Sequence, residues 1–145
     1  MFGNLRISVR LIGLFVAICL ATTAARADDP APTIDSPGNL DNLSPLSEIT
    51  FTITLPGKIG TKIIDPSTIG IGVYDSNSDE IASFDTTTVT SSVINHPPND
   101  ETPTSVTYTF KVTLPQSSSN YSIEIGAIYD GTQYAWGDYN IATGD

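Results

Sequence analysis

The chain is poor in the residues that do chemistry. In 145 residues it has one cysteine, one methionine, one tryptophan and one histidine. The cysteine, Cys19, and the methionine, Met1, both fall within the first twenty positions, so the rest of the chain is free of sulfur. That remainder excludes disulfides, thiolate nucleophiles and thioether redox chemistry. The histidine, His96, has only Asp100 and Glu101 near it in sequence, whereas zinc needs roughly three or four ligands. One loop histidine gives no basis for a Ser-His-Asp triad, and no G-x-S-x-G motif occurs. Beyond the N-terminus no window carries apolar residues at helical spacing, and there are no long repeats or charge runs.

Positive charge is scarce as well. The three arginines are Arg6, Arg10 and Arg26, which leaves Lys58, Lys62 and Lys111 for everything after residue 27. All sixteen acidic residues lie in that part, so three lysines stand against sixteen carboxylates, a net charge of −13. Phosphate backbones and anionic head groups are held by Lys and Arg through counterion release and surface attraction. Nucleic acid and membrane surfaces are therefore not expected as partners.

What is present at the N-terminus has three parts. Arg6 and Arg10 form a basic region, Leu11 to Leu20 an apolar one, and Ala25-Arg26-Ala27 a small-x-small cleavage site before Asp28 and Asp29. The apolar run is short of the roughly 20 residues a spanning helix needs, and no second one follows. Ile18 stands before Cys19 where a lipid-modified cysteine usually has a small residue. The expectation is a signal peptide at 1–27, cleaved during export to the periplasm or beyond, with no stable membrane insertion afterwards. Residues 28–45 carry Pro30, Pro32, Pro37 and Pro45 and read as an extended leader in which PTID is the candidate edge strand.

From residue 46 to 145 the period is two. Ile49, Phe51, Ile53 and Leu55 alternate with threonines, Val106 to Leu114 repeat the pattern, and Tyr121 to Tyr129 repeat it again. Ile69, Ile71 and Val73 face one way with Gly70 and Gly72 opposite, where glycine marks a bulge or a close backbone approach. EIASF and TTTVTSSVI predict two weaker strands, and Asp130-Gly131 a tight hairpin. Pro97, Pro98 and Pro103 predict an irregular loop between them and the next strand. About seven short strands at this spacing predict an all-β, two-sheet antiparallel sandwich. The succession EITFTI, IDPSTIGIGVYDSNSDEI and VTYTFKVTLPQSSSNYSIEIGAIYDG resembles the bacterial immunoglobulin-like domains of surface-layer and adhesin proteins. That resemblance implies an immunoglobulin-like sandwich serving as a binding, spacer or assembly module.

Two stretches offer candidate sites. Asp75, Asn77 and Asp79 match the first, third and fifth positions of a calcium loop. Glu80 replaces the glycine that loop needs, Thr86 replaces its bidentate glutamate, and no helix pattern flanks it. A hairpin turn is the expectation and a weak surface calcium site the alternative; no other cofactor is expected. Tyr134, Trp136 and Tyr139 lie close on the last strand, where they are either core residues or a stacking platform for a ligand. Glu48, Glu80, Glu101 and Glu124 are the only glutamates, and no pair declares itself catalytic. The functional expectation is an exported, non-catalytic module with a protein or cell-surface partner. A carbohydrate-binding or calcium-dependent adhesion domain is the alternative, and an exported hydrolase of unfamiliar type comes third.

Overall fold

The computed structural model describes residues 22–24 and 29–145. The basic region, the apolar run and the cleavage motif of the expected signal peptide lie outside the described residues. In chain order the strands are β1 (Thr22–Ala24), β2 (Thr33–Ser36), β3 (Glu48–Pro56), β4 (Lys58–Ile59) and β5 (Lys62–Asp75). They continue as β6 (Glu80–Phe84), β7 (Ser91–Asn95), β8 (Ser105–Thr113), β9 (Asn120–Tyr129) and β10 (Thr132–Ala142). No helix occurs among the described residues, so none there is long and apolar enough to cross a membrane.

The strands form two sheets. One runs β2-β3-β8-β7; in the other β1, β10, β9, β5 and β4 follow one another, with β6 also paired to β5. All pairings are antiparallel except β1 on β10, where Thr22, Thr23 and Ala24 lie opposite Gln133, Tyr134 and Ala135. The candidate PTID strand exists as β2, at the edge of its sheet. Alternation builds the core as the pattern predicts: Phe51, Ile53 and Leu55 of β3 and Val106, Tyr108, Phe110 and Val112 of β8 face Ile71, Val73, Ile123 and Ile125 of the other sheet. Phe51 stacks on Phe110 at 5.4 Å, and Phe84 tilts against Phe110 at 4.8 Å.

Two strands depart from expectation. β5 is longer than STIGIGVY, because Lys62 to Ile64 also pair; Pro66 sits in a bulge between Asp65 and Gly70 where it removes no ladder bond. TTTVTSSVI is shorter, and only SSVIN pairs, as β7. Asp85 prevents the rest. Its carboxylate accepts from the Thr87 backbone N–H (2.8 Å), the Thr87 hydroxyl (2.6 Å) and the Thr88 N–H (3.1 Å), closing a turn. A side chain that caps local amides outcompetes strand propensity.

The outer face of the larger sheet is built from small residues. Gly70 lies opposite Gly126, which lies opposite Ala135, and Gly72 lies opposite Glu124. A Cβ on Gly72 would meet the Tyr74 ring at 2.6 Å, so Tyr74 folds down along its own strand. Glu124 points away from the apolar core, as alternation requires, and is nonetheless only 5% exposed.

Candidate functional site

β3 ends and β5 begins at the same end of the sandwich as the β9–β10 turn, and the loop entering β8 meets them there. Pro56 closes β3 and Gly57 turns the chain. The Gly57 N–H donates to the Thr104 carbonyl (2.9 Å), and its own carbonyl accepts from Ile64 (3.0 Å). A Cβ at this position would sit 2.0 Å from the Pro103 carbonyl oxygen, so only glycine permits the approach.

Residues 96–104 form the second wall. Asp100 accepts from the Thr102 N–H (2.8 Å), and the Thr104 N–H and hydroxyl both reach the Asn95 carbonyl (2.8 and 3.0 Å). The third part is the turn Asp130-Gly131, where both residues have positive φ (42° and 76°), as a tight two-residue hairpin demands. Its amide donates to Ile63 (2.9 Å), and its carboxylate accepts from the Ile63 N–H (3.0 Å). Lys62 Nζ donates to the Thr132 hydroxyl (2.9 Å).

Between the first two walls lies a cleft of about 420 Å³, lined by Pro30, Pro56, Lys58, Pro97, Asp100 and Pro103 among others. Proline rings give it rigid apolar walls with few N–H donors. Lys58 and Asp100 supply one charge of each sign. The Asp100 carboxyl is held below its ordinary 3.8 first by the Thr102 backbone N–H and then by the Thr102 hydroxyl, with smaller help from the Lys58 and His96 charges. Such a carboxylate is a fixed charge at neutral pH and a weak proton acceptor. The arrangement suits holding a ligand between apolar walls and a cation. Two of the three lysines beyond residue 27, and the only histidine, sit at this end of an otherwise acidic molecule.

The residues singled out by sequence lie elsewhere. Asp75, Asn77 and Asp79 make the turn joining β5 to β6, at the opposite end. Asp75 Oδ1 accepts from the Asn77 and Asp79 amides (both 2.9 Å), while the Ser78 N–H reaches the Asp75 carbonyl (2.9 Å). That oxygen is thus engaged by the loop's own backbone. Among the described residues no group of three or more His, Cys, Asp or Glu is arranged to hold a metal ion.

Tyr134 and Trp136 face the interior of the sandwich. Trp136 is 6% exposed and belongs to the core, edge-on to Tyr129 at 6.1 Å and stacked with Tyr134 at 6.2 Å. Its Nε1–H is buried with no hydrogen-bond acceptor among the described residues. Tyr139 is half-buried and donates its hydroxyl to the Pro32 carbonyl (2.8 Å), with burial pushing its pKa up to about 12. His96 lies beside the cleft, its Nδ1 3.3 Å from the Pro97 carbonyl oxygen.

Sequence reasoning missed the cleft because its walls come from three separated loops. Pro56-Gly57 and the prolines at 97 to 103 were each legible as turn or loop; that they meet was not. The glycine next to a proline at a strand end is the signal that could have suggested a close approach there. Compared with known proteins, the chain matches no family model and no curated protein.

Proposed function

We propose that the protein is an exported, non-catalytic immunoglobulin-like module that binds or assembles at the cell surface or in the periplasm. The strand order carries this. Naming β2, β3, β5, β6, β7, β8, β9 and β10 as A, B, C, C′, D, E, F and G gives sheets A-B-E-D and C′-C-F-G, the immunoglobulin arrangement. A second feature supports it. Tyr121, at the start of β9, accepts from the Gln116 N–H (3.0 Å) and donates to the Gln116 carbonyl (3.3 Å), as the tyrosine corner of such domains does. Where antibody domains carry an inter-sheet disulfide, Phe84 of one sheet meets Phe110 of the other, and the tryptophan sits on the last strand instead of the third.

In this arrangement the B–C, D–E and F–G connections gather at one end, where such folds carry their binding loops. The Lys58 cleft is then the contact site. A photo-crosslinking residue at position 58, 99 or 101 should trap an exported or surface partner in intact cells. The same probe at Asp79, at the far end, should not. The protein recovered from those cells should begin at Asp28. A cytosolic chain that retains Met1, or crosslinks from Asp79 alone, would overturn the proposal.

A further inference from the structure

Among the described residues, every exposed sheet edge but one carries a feature that discourages pairing with another chain; β4 is only two residues long and includes Lys58. β2 is short, bulged between Ile34 and Ser36, and flanked by Pro32 and Pro37. β6 begins with Glu80 and is irregular where Tyr74 pairs. β10 is bulged between Trp136 and Tyr139. Bulges, prolines and charges are the ordinary protections of an edge. β7 has none of them. Its five residues pair with β8 in unbroken register, all five are exposed, and no charged residue occurs from Thr86 to Asn95. Among the described residues three large hydrophobics are exposed, and β7 holds two, Val93 (53%) and Ile94 (49%).

We propose that β7 is an assembly edge, on which a second copy of this chain pairs β7 to β7 in antiparallel register about Val93, making one continuous sheet across a twofold axis. This goes beyond the loop-end reading and uses a different surface. Several observations favour a second copy as the occupant. Strand addition to an open edge supplies main-chain hydrogen bonds, and a twofold contact must be self-complementary. The segment SSVIN meets that condition: Val93 faces its twin, Ser91 faces Asn95, and Ser92 faces Ile94.

Ile94 lies opposite Val106, on the inner side of the sheet, yet remains half exposed because nothing continues the sheet beyond it. In the paired arrangement the two Ile94 side chains become diagonal neighbours on that side, and both are covered. Charge points to the same place. Two copies of so acidic a chain repel each other, and an uncharged edge lets them approach without setting carboxylates opposite one another.

The test is sedimentation equilibrium of the exported protein over a wide concentration range. It is compared with Val93→Lys, which sets two like charges face to face on the axis, and with Ser83→Lys on β6 as control. Both positions are exposed, so each variant keeps its fold, checked by melting. The expected result is a weak dimer that Val93→Lys loosens by about tenfold or more. Ser83→Lys should leave it unchanged, and added salt should tighten it as repulsion is screened. A monomer at every concentration, a dimer indifferent to Val93→Lys, one weakened equally by both lysines, or one dissolved by salt would overturn the proposal. None of these outcomes bears on crosslinking from the loop end, so the two proposals fail separately.

Discussion

At the scale of single residues, stability rests on aromatic packing, in a chain with no cysteine after residue 19. Phe110 touches two rings and is fully buried. Phe110→Ala should therefore cost about 3–5 kcal/mol in chemical denaturation. Trp136→Ala should cost a similar amount, since its ring lies against Tyr129 and Tyr134 inside the sandwich. A folded Trp136→Ala protein melting like the wild type would show that the ring is dispensable to the core. Trp136→Phe should be milder than Ala, because it keeps an aromatic contact and removes a buried N–H that has no acceptor among the described residues. Gly57→Ala tests the cleft floor. A methyl 2.0 Å from a carbonyl oxygen forces the two loops apart, and a loss of about 1–3 kcal/mol is expected. Unchanged melting would mean that the corner is looser than its hydrogen bonds imply.

At the scale of elements, the acidic turn between β5 and β6 is held by Asp75 and the left-handed Ser78 (φ 75°). Its amides already engage Asp75 Oδ1, so calcium in the millimolar range should leave the melting temperature in place. A bound ion at a hundred times its Kd would add about 2.7 kcal/mol, and several degrees of stabilisation by calcium but not magnesium would expose a real site. Alternation made β3, β8 and β9 legible in the sequence, because each buries one face and wets the other. What hid the first part of β5 was Pro66, whose lost N–H costs nothing only because a bulge receives it, and bulges leave no periodic trace. What hid the true start of β7 was Asp85, since threonine-rich sequence favours strand until a neighbouring carboxylate claims its amides. The aromatic hairpin was visible as a cluster, but which face looked inward depended on pairing with β9. The cleft depended on three loops meeting, a fact of topology that no local pattern encodes.

At the scale of the whole molecule, the tyrosines tie the sheets together across the core. Tyr108 donates to the Pro66 carbonyl (2.8 Å), Tyr129 to Pro56 (2.7 Å) and Tyr139 to Pro32 (2.8 Å). Burial raises the pKa of all three, Tyr139 to about 12. A folded pKa above the unfolded value of 10.0 means stability that is complete below pH 10.0 and lost as pH rises toward the folded value. Alkaline titration should therefore show part of the tyrosinate absorbance appearing only above pH 10.0, together with loss of tertiary structure. Full ionisation near pH 10.0 in a molecule that stays folded would refute this coupling.

The lysine placement has a consequence for motion. Lys58 and Lys62 sit at the loop end, while Asp75, Asp79 and Glu80 crowd the turn at the far end. The loop end also holds Asp100, Glu101 and Asp130, so both ends are net negative, and the far end is the more strongly so. Near an anionic surface both ends are repelled, but unequally, so thermal tumbling is biased and the loop end leads each approach. That bias fades within about 8 Å of separation at physiological ionic strength. It acts on the rate of encounter and not on the strength of any contact that follows.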